Sequence, residues 1–136
     1  MEALPFSQAC ENNKAFILEA IKPHLQAVSR VLEIGSGTGQ HAVMFGGAMP
    51  DVTWHTSDLL ENHEGIMAWL EESRLSNLVP PISLDVSVGP WPKRTFDAVF
   101  TANTAHIMSP GAVTRMFAGV SGVLKPTAPF LMYGPF

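Results

Sequence analysis

The chain has 136 residues, 46% of them apolar and 15% charged, with a formal net charge of −4 and one cysteine, Cys10. That suffices for one compact domain with a single core over residues 1–136, and it excludes an internal disulfide. No basic block, acidic tail, signal-like N-terminus or membrane-length apolar run is present. Nucleic-acid binding, secretion and membrane insertion are therefore not expected, and a reducing cytoplasm is the expected setting.

Residues 1–10 read as an irregular arm. From Glu11 onward, Ile17, Ile21, Leu25 and Val28 recur at helical spacing with Phe16 alongside. Pro23 falls inside that pattern and predicts a kink or a restart as a short second turn. The run RVLEI, residues 30–34, is a short continuous apolar stretch of the kind buried on both faces of a parallel sheet. QHAVMFGGAMP predicts a short helix that Gly46 and Gly47 weaken and Pro50 stops. VTWHTSD predicts a second strand, and ENHEGIMAWLEESRL an amphipathic helix with Ile66, Trp69, Leu70 and Ser73 on one side. PPISLDV and FDAVFTAN predict strands three and four, separated by the soft linker SVGPWPKRT. PGAVTRMFAGVSGVLKP opens and closes on proline as a helix does, with Val113, Met116, Phe117, Val120 and Leu124 as its buried side. APFLMYGPF predicts a fifth strand. Regular alternation of strands and helices implies right-handed βαβ units and a doubly wound, mainly parallel α/β sheet.

In such a sheet, ligands bind beyond the carboxyl ends of the strands. The first strand runs into Gly35, Gly37 and Gly39, a turn bare enough for a ligand to approach the backbone before a helix N-terminus. The spacing is G-x-G-x-G. The position that would complete the dinucleotide pattern G-x-G-x-x-G is Gln40. Glu33, two residues ahead of the glycines, disfavours a pyrophosphate and suits a cationic ligand. Asp58 closes the second strand about 20 residues on, where an acid can take both hydroxyls of a ribose or can cap the next helix. Asp85-Val86 closes the third strand and Asn103 the fourth.

The motif E-x-G-x-G-x-G after the first strand resembles motif I of the class I S-adenosylmethionine (SAM) dependent methyltransferases. SAM carries a sulfonium and an α-amino group, both positive, and one carboxylate, which agrees with the acid at Glu33. More closely, SQACENNKAFIL, VLEIGSGTGQHAV, WHTSD, PPISLDV, TANTAHI and LMYGPF together resemble a small methyltransferase-like family, domain-of-unknown-function family 938. They do so in order and over nearly the whole chain. The sequence departs from that family's pattern at Asn12, where arginine is usual before the Asn-Lys pair.

The resemblance implies a three-layer Rossmann-like fold with strand order 3-2-1-4-5. It also implies that the class I fold would continue past LMYGPF with a helix and two strands, so the chain reads as a truncated version of that fold. It implies SAM as cofactor, held by Glu33, Gly35, Ser36, Gly37, Gly39 and Gln40 of the first turn, by Asp58 and Leu59 at the ribose, and by Asp85 and Val86 at the adenine. Asn13 and Lys14 of the N-terminal arm would fold over it, with Lys14 pairing with its carboxylate. Asn103 would face the methyl group and an unidentified, small-molecule methyl acceptor. His106 is the best-placed general base, with an ordinary pKa near neutrality, and Tyr133 is a further candidate for the same pocket.

A metal is not expected: His55, Asp58, His63 and Glu64 follow no ligand pattern. Trp54, Trp69 and Trp91 read as core or cover. The competing class is a non-catalytic SAM-binding or scaffold module, and a nucleotide-dependent oxidoreductase is a weaker third. A fifth strand left at the edge of the sheet predicts a homodimer through that edge or the adjacent face.

Overall fold

The computed structural model describes residues 4–104 and 107–134. Its elements in chain order are α1 Gln8–Ile21, β1 Arg30–Ile34, α2 Gln40–Ala48, β2 Thr53–Asp58, α3 His63–Ser73, β3 Leu78–Ser83, β4 Ala98–Ala102, α4 Pro110–Val123 and β5 Phe130–Tyr133. Short 3-10 turns at Lys22–Leu25 and Leu60–Asn62 precede β1 and α3. The first is the restart that Pro23 imposes. No described helix is long and apolar enough to cross a membrane.

The strands form one sheet in the order β3-β2-β1-β4-β5, with every pair parallel. Strand alternation divides the core in two. Val31, Trp54, Ala98 and Phe100 face α1, α2 and α3, meeting Ile17, Phe45, Ile66 and Leu70. Leu32, Ile34 and Val99 face the other way onto Met116, Val120 and Val123 of α4. That gives the three layers. After β1 the chain steps toward β2 and β3, then returns to place β4 on the other side of β1. The loops following β1 and β4 therefore diverge, and a crevice opens between them.

Four sequence expectations shift at this level. α1 begins at Gln8, inside the stretch expected to be irregular, because Ser7 caps it by accepting from the Cys10 N–H at 3.3 Å. Phe16 stands on the solvent side of α1, 71% exposed. On α4, Phe117 is half-exposed and Ala112 and Val123 take part in the buried stripe. β3 starts two residues earlier than PPISLDV and ends at Ser83, so Asp85 lies in the loop beyond it.

Candidate cofactor site

The glycine turn after β1 uses backbone that side chains rarely adopt. Gly35 has φ +69° and Gly37 φ +61°. A Cβ at Gly35 would stand 2.8 Å from Cγ2 of Thr104, so this turn packs against the loop after β4. A Cβ at Gly37 would meet nothing within 4 Å. Ser36 stitches the turn to β2: its N–H donates to Ser57 O at 2.9 Å, and its Oγ accepts from the Ser57 N–H at 3.0 Å. Gly39 serves packing. A side chain there would press on Trp69 and Ile66 of α3.

Asp58, at the end of β2, spans the mouth of this turn. Its Oδ2 accepts from the Gly37 N–H at 2.8 Å, and its Oδ1 accepts from the Leu59 N–H at 2.6 Å and from Asn62 Nδ2 at 3.0 Å. None of these donors belongs to the first turn of α3, so Asp58 orders the loop and does not cap the helix. Asp85 organises the loop beyond β3, accepting from the Ser87 N–H at 2.9 Å. Asn103 follows the last residue of β4 in the left-handed region, φ +57°, which asparagine tolerates better than most residues.

These groups surround a cavity of about 680 Å³ at the carboxyl edge of the sheet, within the range of about 300–1,000 Å³ usual for small-molecule sites. Gly35, Ser36, Gly37, Asp58, Leu59, Asp85, Val86 and Asn103 all line it, and Asn13 of α1 closes one side. Other lining residues were not among those expected to hold the ligand: Ser7, Cys10, His41, Asn62, Thr104 and Met108. The signal for Ser7 and Cys10 was the N-cap, which the reading of residues 1–10 as an arm passed over. Two carboxylates line the cavity, and no lysine or arginine does among the described residues. That charge balance suits a cationic ligand and opposes a pyrophosphate.

Several expected residues lie elsewhere. Glu33 is buried on the helix-rich face and accepts from Trp54 Nε1 at 3.1 Å. Burial raises its pKa from 4.5 to about 7, against the hydrogen bonds from Trp54 and Ser36. Lys14 is ion-paired with Glu11 and lies in a separate hollow beside Val43 and Trp69. Gln40 accepts from the Ser7 N–H at 2.6 Å and returns a bond from Nε2 to Ser7 O at 3.3 Å. Its side chain therefore holds the start of α1 and does not line the cavity. Tyr133, 37% exposed on the outer strand, is not part of the lining either. His106 falls outside the described residues. Among those described, no three His, Cys, Asp or Glu side chains are grouped to share a metal ion.

Known structures share this fold. The chain is similar to the apo form of the S-adenosylmethionine-dependent methyltransferase SibL, with a TM-score of 0.84 and 21% identity over 94% of this chain and 37% of that one. It is similar to the glycopeptide N-methyltransferase MtfA complexed with SAM, with a TM-score of 0.74 and 17% identity over 88% of this chain and 53% of that one. It is also similar to human N-acetylserotonin methyltransferase in complex with SAM, with a TM-score of 0.72 and 18% identity over 92% of this chain and 34% of that one. At such identities the likeness is one of fold, the Rossmann-like methyltransferase fold, and the chain spans about a third to a half of the length of these proteins. The family model described as protein of unknown function (DUF938) matches residues 4–136, and the chain belongs to that family.

Proposed function

We propose that this chain binds SAM and serves as a SAM-dependent methyltransferase acting on a small-molecule acceptor. The observation that carries the reading is the cavity itself. It lies at the switch point, is lined by Asp58 at the end of β2, Asp85 in the loop after β3 and a bare glycine turn, and has no described lysine or arginine in its walls. The SAM complexes among the structural neighbours support it.

Bound there, SAM supplies a methyl group on a sulfonium, open to in-line attack by a nucleophile. The chain's own residues divide the remaining work. Gly35 and Gly37 let the ligand reach the backbone. Asp58 accepts from ribose hydroxyls. Asp85 and the Val86 N–H meet the adenine edge. Asn103 and Thr104 stand where an acceptor would enter, and the lining holds the reacting groups in line. His106 is the candidate base for an acceptor proton.

Asp58 is already partly engaged. An ionised carboxylate has about four lone-pair sites, and three are taken by Gly37, Leu59 and Asn62. A second ribose hydroxyl would have to displace one of these donors. The contribution of Asp58 therefore falls at the low end for a hydrogen bond to a charged group, about 1.5 kcal/mol. Titration calorimetry is the test. SAM and its demethylated product, S-adenosylhomocysteine, are expected to bind and NAD is not. Asp58→Ala is expected to weaken SAM by roughly tenfold and to weaken an analogue without ribose hydroxyls much less. Binding of NAD in preference to SAM would overturn the reading.

A binding-only module is the second reading. Likeness of fold leaves it open, because a shared fold carries no activity with it. Incubation with methyl-labelled SAM and cell extract separates the two: labelled product supports the enzyme, and tight SAM binding with no product supports the module.

A further inference from the structure

Eight large apolar side chains stand exposed among the described residues, and five of them sit on segments that meet at the carboxyl edge of the sheet. Phe6 immediately precedes Ser7 of the cavity wall. Leu59 and Leu60 follow β2. Val88 lies beyond β3, where its N–H donates to Asp85 O at 3.1 Å, and Ile107 lies beyond β4. Leu59 and Ile107 line the cavity itself, so this apolar surface is continuous with it. The other three are Phe16 on α1, Phe117 on α4 and Tyr133 at the end of β5. Apolar side chains exposed singly are ordinary, whereas a cluster of them bordered by polar groups marks a binding surface. The charges around this collar are of one sign. Asp58 and Asp85 line the cavity, Glu61 follows Leu60 and lines the adjoining hollow, and no lysine or arginine lines either among the described residues.

We propose that this collar receives the methyl acceptor, and that the acceptor is a largely apolar small molecule with no anionic group. This rests on the reading of the cavity as a SAM site and names the acceptor class for it. Contact with Leu60 and Ile107 supplies affinity roughly in proportion to the apolar area removed from water, without fixing direction. Asn103 and Thr104, beside Ile107 in the same loop, supply the polar groups that orient the reacting atom. The three carboxylates oppose a phosphate or carboxylate on the acceptor, with no described cation in either lining to offset them. A lipid surface fits less well, because membrane-binding faces join their apolar side chains to lysine and arginine, and the flanking charges here are acids. In the transfer, the acceptor's lone pair bonds to the methyl carbon while the carbon–sulfur pair returns to sulfur, leaving a neutral thioether. A proton on the reacting atom, where there is one, passes to water.

Naphthyl compounds that differ in charge provide the test: 2-naphthol, neutral near pH 7, 2-naphthylmethylamine, cationic, and 2-naphthoate, anionic. Each is titrated into the full chain by ligand-observed NMR, with saturating S-adenosylhomocysteine present so that the cofactor site is filled. The first two are expected to bind with dissociation constants of about 1 mM or below, and 2-naphthoate roughly tenfold more weakly. Leu60 and Ile107 are 71% and 75% exposed, so Leu60→Ser and Ile107→Ser spare the fold. Each is expected to weaken 2-naphthol by roughly fivefold or more and to leave S-adenosylhomocysteine within about twofold. Phe16→Ser, an equally exposed site on α1, is expected to leave both within that range. No binding of 2-naphthol, equal binding of 2-naphthoate, or no loss in either collar variant would overturn the acceptor class while leaving the cofactor site standing. Sedimentation of the parent chain with phosphatidylcholine vesicles, abolished by Ile107→Ser, would assign the collar to a lipid surface and overturn it too. A parent chain that does not bind S-adenosylhomocysteine would overturn the cofactor reading and this one with it.

Discussion

Glu33 completes the motif, yet its side chain is placed away from the cavity that the motif's glycines line. On β1 the side chains alternate, and Glu33 falls on the same face as Val31, under the helices and against Trp54. Its carboxyl is desolvated, which raises its pKa from 4.5 to about 7. The folded protein thus holds that proton more tightly than the unfolded chain does. Glu33 costs nothing below about pH 4.5, costs progressively more as pH rises toward 7, and costs about 3 kcal/mol above that. His41 and His55 act in the opposite sense. Burial lowers both from 6.5 to about 4, so they add stability as pH rises across that interval. Comparing the parent with Glu33→Gln cancels the histidines. Urea unfolding at pH 5 and pH 8 is expected to show Glu33→Gln gaining on the parent by roughly 2–3 kcal/mol between the two. A difference independent of pH would show that Glu33 ionises as an ordinary surface carboxylate does.

Among the elements, α1 reaches the site through its capping. Ser7 caps its first turn and is itself held from both sides by Gln40, while Trp69 Nε1 donates to Pro5 O at 2.5 Å. These bonds fix the turn that carries Cys10 and Asn13 into the cavity wall. Gln40→Ala is expected to cost about 1–3 kcal/mol, the scale of losing buried hydrogen bonds. It is also expected to speed amide hydrogen exchange over Gln8–Asn13 while the β1 and β4 amides keep their protection. Unchanged exchange there would mean that α1 is held by Ile17 and Ile21 alone. This element also marks the limit of what the sequence discloses. The strands were legible because apolar runs of fixed length alternate with helical periods, whereas their order came only from the family resemblance. The glycine turn, Asp58, Asp85 and Asn103 were legible because they terminate those runs. Gln40, His41 and Lys14 were not, since their neighbours come from elements distant in sequence and the helical pattern does not record which face meets which partner. Phe16 and Phe117 misled for a related reason: an apolar residue beside a buried stripe need not be in it.

The whole sheet has two edges, and they are built differently. β3 carries Pro80 and Pro81, which cannot donate to a further strand, and α3 packs along it. β5 has no proline, none of its four residues is buried, and no strand pairs with its outer side among the described residues. Beside it Phe117 of α4 is 50% exposed, with its ring 5.5 Å from that of Phe130. An open edge next to exposed aromatic surface is a template for association. The simplest closed form is a two-fold dimer in which the two β5 strands run antiparallel and continue one sheet through both copies. The inner ladder shows which groups are free to do this. The Val99 N–H donates to Pro129 O and the Asn103 N–H to Tyr133 O, so residues 129 and 133 face β4, and strand alternation turns the N–H groups of Phe130 and Met132 outward. Met132→Pro removes an outward donor and leaves the inner ladder intact, whereas Phe117→Lys charges the adjacent face. Light scattering at micromolar concentration is expected to show a dimer of the parent chain. If the edge carries the contact, Met132→Pro gives monomer and Phe117→Lys does not; if the face carries it, the reverse holds. A parent chain that is monomeric under those conditions would show that neither surface associates and would remove the dimer from any account of this protein.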